Sequence, residues 1–335
     1  MREESIRMVH GSGGSATGEL IREVFESAFR NDTLSAMEDA AVLERPSGRI
    51  AVTTDSFVVD PVEYRGGDIG RLAVCGTVND LLMRGAVPRY LTAGWILKTG
   101  TSLDLLRRVV KSMAETAKEA GVTIVAGDTK VVEESSHGEI YINTTGVGVV
   151  PDGVDIAAAN AAPGDKVLLS GTLGDHHAAI LSERMAINTD IVSDTAPLTA
   201  MCERLRGWKV HTMRDVTRGG LGTVLKELAL ASGTVIRIRE KDIPVSRKVR
   251  DFCGLLGLDP VYMGNEGKMV VIVDESDAEE ALRAMRESDY GADAVMIGEV
   301  SEPMSEEAGS IFLETAIGGI RELDVLQGEG LPRIC

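Results

Sequence analysis

At 335 residues the chain exceeds what one hydrophobic core usually supports, so length favours two domains of roughly 150 residues each. Its 44% hydrophobic and 26% charged residues suit a folded globular protein. A formal net charge of −17, with Lys and Arg scattered and the Arg237 to Arg250 cluster broken by Glu240 and Asp242, argues against nucleic acid and anionic membranes as partners.

The N-terminal MREESIRMVHGSGG has no apolar signal region, and no later stretch approaches about 18 consecutive apolar residues, so a cytoplasmic protein is expected. His10-Gly11-Ser12-Gly13-Gly14 precedes a helix expected from about Thr17. Backbone amides of such a loop, together with a helix N-terminus, can cradle a phosphate. No Lys-Ser/Thr pair follows as the Walker pattern requires, so a plain flexible loop stands beside that reading.

The runs RIAVTTDSFVV (49–59) and VTIVAGDT (122–129) are rich in β-branched residues and read as strands. Between them Ser102 caps a helix whose Leu105, Leu106, Val109, Val110, Met113 and Ala117 recur at helical spacing, and Gly121 stops it. Glu38-Asp39, Asp55, Asn79-Asp80 and Asp128-Thr129 are expected at element ends among small residues. Several such carboxylates suit Mg²⁺ on a nucleotide triphosphate, although each alone also reads as a cap or turn residue. Lys130 is two residues from Asp128 and shares its strand end.

Pro151, Gly153, Pro163 and Gly164 punctuate the passage into a new apolar strand at 166–170, which places a domain boundary near residue 155. The expected organisation is residues 1–155 for nucleotide and metal binding and dimerisation, 156–326 as an α+β domain, and 327–335 as a tail. In the second half, helices are expected at about 221–232 and 276–288, with strands near 234–239 and 268–274. Asp215-Val-Thr-Arg218-Gly-Gly leads into the first of these helices and reads either as a nucleotide contact or as an ordinary helix start. Gly219-Gly220-Leu221-Gly222 lacks the third glycine of a dinucleotide fingerprint.

Asn265-Glu266-Gly267-Lys268 is a polar turn between Met263 and Met269. Adjacent His176 and His177, with distant His211, have poor spacing for a metal. Cys75, Cys202, Cys253 and Cys335 form no paired motif, so three read as buried thiols while Cys335 ends the chain. The last nine residues hold two glycines and a proline and read as a mobile tail. Fully extended, it reaches about 30 Å at roughly 3.3 Å per residue.

Taken together, HGSGG, TTDSFVVDP, GGDIGRLAVCGTVNDL, VAGDTKVV, RDVTRGG, GNEGK and the terminal LPRIC resemble the HypE family of hydrogenase maturation factors, and they cover essentially the whole chain. LPRIC is the most specific of them. The wider PurM-like superfamily holds aminoimidazole ribonucleotide synthetase, selenophosphate synthetase and thiamine-phosphate kinase. The loop HGSGGS lacks the Cys or selenocysteine that selenophosphate synthetases generally carry there.

The resemblance implies a two-domain α/β (α+β) fold whose N-terminal sheets pair into an intersubunit β-barrel in a homodimer. It implies Mg²⁺ and ATP held by Asp39, Asp55, Asp80 and Asp128, and ATP contacts from His10 to Gly14, Asn79, Thr129, Asp215 and Arg218. It further implies ATP-dependent dehydration of an S-carbamoyl group on Cys335 to a thiocyanate. HypF would supply the carbamoyl group and a HypC–HypD complex would receive cyanide for the [NiFe]-hydrogenase iron. Proton removal from the amide needs a base, for which Lys130 is the candidate by its motif position, with Glu266 accepting the proton or setting its pKa. A same-fold synthetase or kinase acting on a free small molecule, and a non-catalytic maturation scaffold, are the rival expectations.

Overall fold

The computed structural model describes residues 5–44, 46–133, 138–304 and 307–327. Residues 328–335 of the expected tail, with Cys335, lie outside the described residues. Among the described residues, contacts divide the chain into two compact units, one running up to Leu81 and including Ala86–Asp152, the other comprising Leu82–Gly85 and residues 153–327.

The first unit is built on a four-stranded sheet. Helix α1 runs through Ser15–Leu20, a π-helical stretch Ile21–Glu26 and Ser27–Phe29, and α2 is the short turn Asp32–Ser35. The sheet strands are β1 (Arg49–Phe57), β4 (Val87–Lys98), β5 (Thr123–Val132) and β6 (Ile140–Val150), in the order β1-β6-β4-β5. A small hairpin of β2 (Glu63–Tyr64) and β3 (Gly67–Asp68) leads into α3 (Ile69–Met83). Strands β4 and β5 are parallel, and the crossover that parallel pairing demands is α4 (Leu103–Ala120).

Helix α4 has the caps expected of it: Ser102 Oγ accepts from the amides of Asp104 and Leu105, and Gly121 takes φ +73° to end it. Helix α3 has no counterpart in the sequence reading. Leu72, Ala73, Val74, Cys75 and Val78 are all fully buried, so it presents no polar stripe from which a helical period could be read. Asp68 Oδ1 starts it by accepting from the Gly70 and Arg71 amides at 2.8 and 2.9 Å. Gly76 lets the helix lie against the Phe57 ring, which a Cβ would meet at 2.9 Å.

Strand alternation gives the sheet two unlike faces. Thr53 Oγ1 donates to Asp80 Oδ2 on α3, so the side of β1 that carries Thr53, Asp55 and Phe57 is the helix-covered one. The other side shows Ile50, Val52 and Ile96 to solvent, with Val52 63% exposed.

The second unit carries a seven-stranded mixed sheet in the order β13-β12-β9-β11-β7-β10-β8. Its strands are β7 (Lys166–Leu169), β8 (Val210–Asp215), β9 (Val235–Arg239), β10 (Met269–Val273), β11 (Val295–Ser301), β12 (Ile311–Glu314) and β13 (Ile320–Leu323). Of its helices, α7 (Gly220–Ser232) and α9 (Ala278–Arg286) pack on the sheet, α6 (Thr199–Leu205) packs against α9, and α5 (Asp175–Arg184) and α8 (Arg247–Leu256) form a second apolar cluster with each other. Central β10 is buried at all five positions, which is why it reads as a continuous apolar run without alternation. Among the described residues, no helix is long and apolar enough to cross a membrane.

Candidate nucleotide site

A cavity of about 310 Å³ opens in the first unit between α1, the segment after α2, and the outer strand β5. This lies at the small end of the range for ligand pockets. Its inner wall is apolar: Ile21, Phe25, Phe29, Trp95 and Ile124 line it, with the Phe25 and Trp95 rings 5.1 Å apart and tilted by 53°. Its rim is polar and carries Gly11, Gly13, Thr17, Glu38, Asp39, Asp128, Thr129 and Lys130. An apolar slot with hydroxyls, glycine backbone, carboxylates and one ammonium at its mouth suits a nucleotide better than a purely apolar or a purely anionic ligand.

The glycine loop is shaped by packing as much as by ligand geometry. A Cβ on Gly11 would sit 2.9 Å from the Val131 backbone nitrogen, so only glycine lets the loop press against β5. Gly13 takes φ +80°, and its amide donates to Thr17 Oγ1 at 3.0 Å. Ser12 Oγ donates to the Met8 carbonyl, and buried His10 accepts from the Arg7 amide through Nδ1 at 3.0 Å. Burial, then the nearby Arg7, lowers the His10 pKa. Of the five loop residues expected to bind cofactor, Gly11 and Gly13 line the cavity, whereas His10 acts as an internal brace of the loop.

Lys130 Nζ donates to Asp128 Oδ1 at 3.0 Å, and that hydrogen bond is the main reason the Asp128 carboxyl is held below its usual range. With side chains 66% and 68% exposed, such a pair contributes only about 0–1 kcal/mol to stability. Its significance is therefore chemical: an ammonium and a carboxylate stand at the cavity mouth.

Asp55 and Asp128, expected at strand ends, instead lie inside strands β1 and β5. Asp80 accepts from Thr53 on the covered face, and buried Asn79 lies beside it in α3. The register sets Asp128 and Lys130 opposite Gly94 and Ile96 of β4, positions that share the solvent-facing side with Ile96. Among the described residues no three His, Cys, Asp or Glu side chains come together in a metal-holding group, so the four aspartates stay dispersed within one chain.

The second unit holds the other sequence-derived candidates. Asp215 ends β8 opposite Met269, while Arg218 is exposed just before α7. Glu266 is 4% exposed in the turn before β10, and Lys268 beside it forms an ion pair with Asp194 at 3.5 Å. Asp194 and Asp175 carry no motif of their own, and sequence reasoning passed over both. Among the histidines, His176 Nδ1 lies 2.8 Å from Ser193 Oγ, and His177 Nδ1 accepts from the Gly264 amide. The pair thus has separate partners.

Comparison with known proteins places this geometry in context. Residues 37–150 match the family described as AIR synthase related protein, N-terminal domain, and residues 162–309 match its C-terminal domain. A relative from Azotobacter vinelandii, named carbamoyl dehydratase HypE, is 48% identical over 339 residues, covering 100% of this chain and 98% of its own. A solved structure of the hydrogenase maturation protein HypE in complex with ATP superposes with a TM-score of 0.94 at 46% identity, covering 98% of this chain and 99% of that one. A structure of a HypE–HypF complex matches with a TM-score of 0.79 at 48% identity, over 92% of this chain and 99% of that one.

Proposed function

The chain belongs to the carbamoyl dehydratase HypE family, and from that premise we propose that it uses ATP to dehydrate an S-carbamoyl group on its own Cys335 to a thiocyanate. The product would supply cyanide ligands for the [NiFe]-hydrogenase active-site iron. The observation that carries the reading is the cavity with an apolar wall and a polar rim, which gathers residues of HGSGG, Asp39 and GDTK from separate parts of the chain. A 46%-identical relative solved with ATP supports it.

Amide dehydration is slow because oxide is a poor leaving group. In the proposed route the carboxamide oxygen attacks the γ-phosphorus, the bond to the ADP oxygen breaks, and one N–H proton passes to a base. The C–O bond then breaks, phosphate departs with the former amide oxygen, and the second N–H proton leaves as S–C≡N forms. Two protons must therefore be removed per turnover; Lys130, acting as the free amine, is the proposed base, with Glu266 accepting the proton or setting its pKa. Of the four aspartates expected to hold Mg²⁺, Asp39 and Asp128 share the cavity rim and would hold it with the nucleotide, whereas Asp55 and Asp80 lie on the helix-covered side of the sheet and do not reach that rim within one chain. The metal would offset charge on the phosphoryl group. The Gly11–Gly13 backbone and Thr129 would contact phosphate or ribose, with Asp215 and Arg218 completing the nucleotide's surroundings.

The uncovered sheet face around Ile50, Val52 and Ile96 suits a second copy of the chain, and a homodimer closed through an intersubunit barrel is part of this reading. A HypF-type carbamoyltransferase is the proposed donor and a HypC–HypD complex the proposed acceptor, all within the cytoplasm. The HypE–HypF complex of a relative supports the first partnership.

Intact mass spectrometry after incubation with carbamoyl phosphate, HypF and ATP tests the reading. The C-terminal peptide should gain a carbamoyl group at Cys335 and lose one water only with hydrolysable ATP. Lys130→Ala should stop at the carbamoyl form while still binding ATP. Turnover of a free small molecule with Cys335 unmodified would assign the chain to another chemistry of the same fold.

A further inference from the structure

The turn that presents Glu266 is braced by one short segment of the second unit, Ser193 to Ala196. The Glu266 amide donates to Asp194 Oδ1 at 3.0 Å, and the Ala196 amide donates to the Glu266 carbonyl at 3.3 Å. Gly267 lies so close to this segment that a Cβ would meet the Asp194 carbonyl at 1.9 Å. On the other side, Asn265 Oδ1 accepts from the Gly174 amide at 2.8 Å, and Asn265 Nδ2 donates to the Val216 and Met263 carbonyls. The backbone of the turn is therefore over-determined.

Charge is arranged as deliberately as backbone. The Asp194 side chain is 5% exposed and that of Lys268 is 10% exposed, and their charges lie 3.5 Å apart. Asp194 Oδ2 nevertheless makes no hydrogen bond, so the contact with Lys268 is an ion pair without hydrogen-bond geometry. A purely structural clamp would need only Oδ1, which an asparagine offers equally well. Burying a full carboxylate costs several kcal/mol unless its charge is used.

We propose that Asp194 is a positioning residue for Glu266, gripping the turn through one carboxylate oxygen and balancing Lys268 through the other, so that Glu266 stands as a base beside a compensated cation. The inference rests on the assignment of Glu266 to proton removal. Charged or titratable groups facing the turn are Asp175, His176 and His177 from α5, Asp194 and Lys268 themselves, and Asp215 opposite Met269. Asp175 cannot readily replace Asp194, because burial pushes its carboxyl up and Thr172 and Ser246 already donate to it. Without the Asp194 charge, the buried ammonium of Lys268 would hold the Glu266 carboxylate as a weaker base.

The test is the ATP-dependent loss of water from carbamoylated Cys335, followed as a single turnover against pH. Asp194→Asn keeps the acceptor for the Glu266 amide and removes the charge. It should slow the step roughly 10- to 100-fold, the range typical when the group orienting a reactive residue is lost. The acid limb of its pH profile should move to lower pH, while the ATP concentration giving half-maximal rate stays within about twofold. Adding Lys268→Met should return the acid limb toward its original position, because the uncompensated cation is then gone. An Asp194→Asn rate within about twofold of the parent with an unmoved acid limb overturns the inference. So does a loss accompanied by weakened ATP binding and a lowered melting temperature that the second substitution does not repair. Glu266→Gln separates the two levels: full activity there removes the Glu266 assignment itself, whereas an inactive Glu266→Gln with an unaffected Asp194→Asn defeats only the role given to Asp194.

Discussion

Cys202 and Cys253 lie in apolar surroundings, and burial pushes their thiols up to about 12 and about 11. Cys75 is fully buried in α3. Because the thiolate is the nucleophile, a thiol so placed is almost entirely unreactive near neutral pH. Iodoacetamide applied to the native protein at pH 8 should therefore leave Cys75, Cys202 and Cys253 unmodified until denaturant is added, as read by peptide mapping. Native-state labelling of Cys202 or Cys253 would contradict this. The polar side of the candidate site was legible at this scale: Asp39, Asp128, Thr129, Lys130 and the glycine loop converge on one cavity mouth. Its aromatic wall was not legible, because Phe25, Phe29 and Trp95 read like any core residue until Trp95 and Phe25 are seen facing each other. The Asp194 contact was equally invisible, since 72 residues separate it from Glu266.

Among the elements, those with caps and a clear period were readable and those enclosed on every side were not. Helix α4 shows both devices, and its N-cap gives a direct test. Ser102→Ala removes the acceptor for two amides, which should cost about 1 kcal/mol and lower the melting temperature by a few degrees. ATP affinity measured by calorimetry should be unchanged, because the cap does not line the cavity. Helices α7 and α9 and strands β9 and β10 likewise fall close to where apolar spacing put them. By contrast, α3 is buried on nearly every side, polar Thr77 and Asn79 included, and no element was assigned to Ile69–Met83 from sequence. Asp55 and Asp128 look like strand-end residues beside small neighbours, but the strands continue beyond them because β6 and β4 supply full-length hydrogen-bonding partners.

For the whole molecule, one face of the first unit's sheet is unfinished as a monomer. Ile50 and Val52 are more than half exposed on a strand whose opposite side is covered by helix, an expensive arrangement unless something seats on it. The proposed homodimer should give way to monomer in sedimentation velocity on Val52→Asp, with the far-ultraviolet circular dichroism unchanged. A dimer that survives the substitution at micromolar concentration would place the contact elsewhere.

The outer strand β5 has a ladder partner, β4, on one side. On its other side the chain has folded the Gly11 loop against Val131, and Asn31 Nδ2 donates to the Ile124 carbonyl at 2.8 Å. Exposed strand edges invite pairing with the edges of other molecules. The segment proposed to meet phosphate thus also shields a surface on which aggregates could nucleate. A nucleotide that fastened the loop would act as a preservative as well as a reactant, and stocks stripped of it would be the first to cloud.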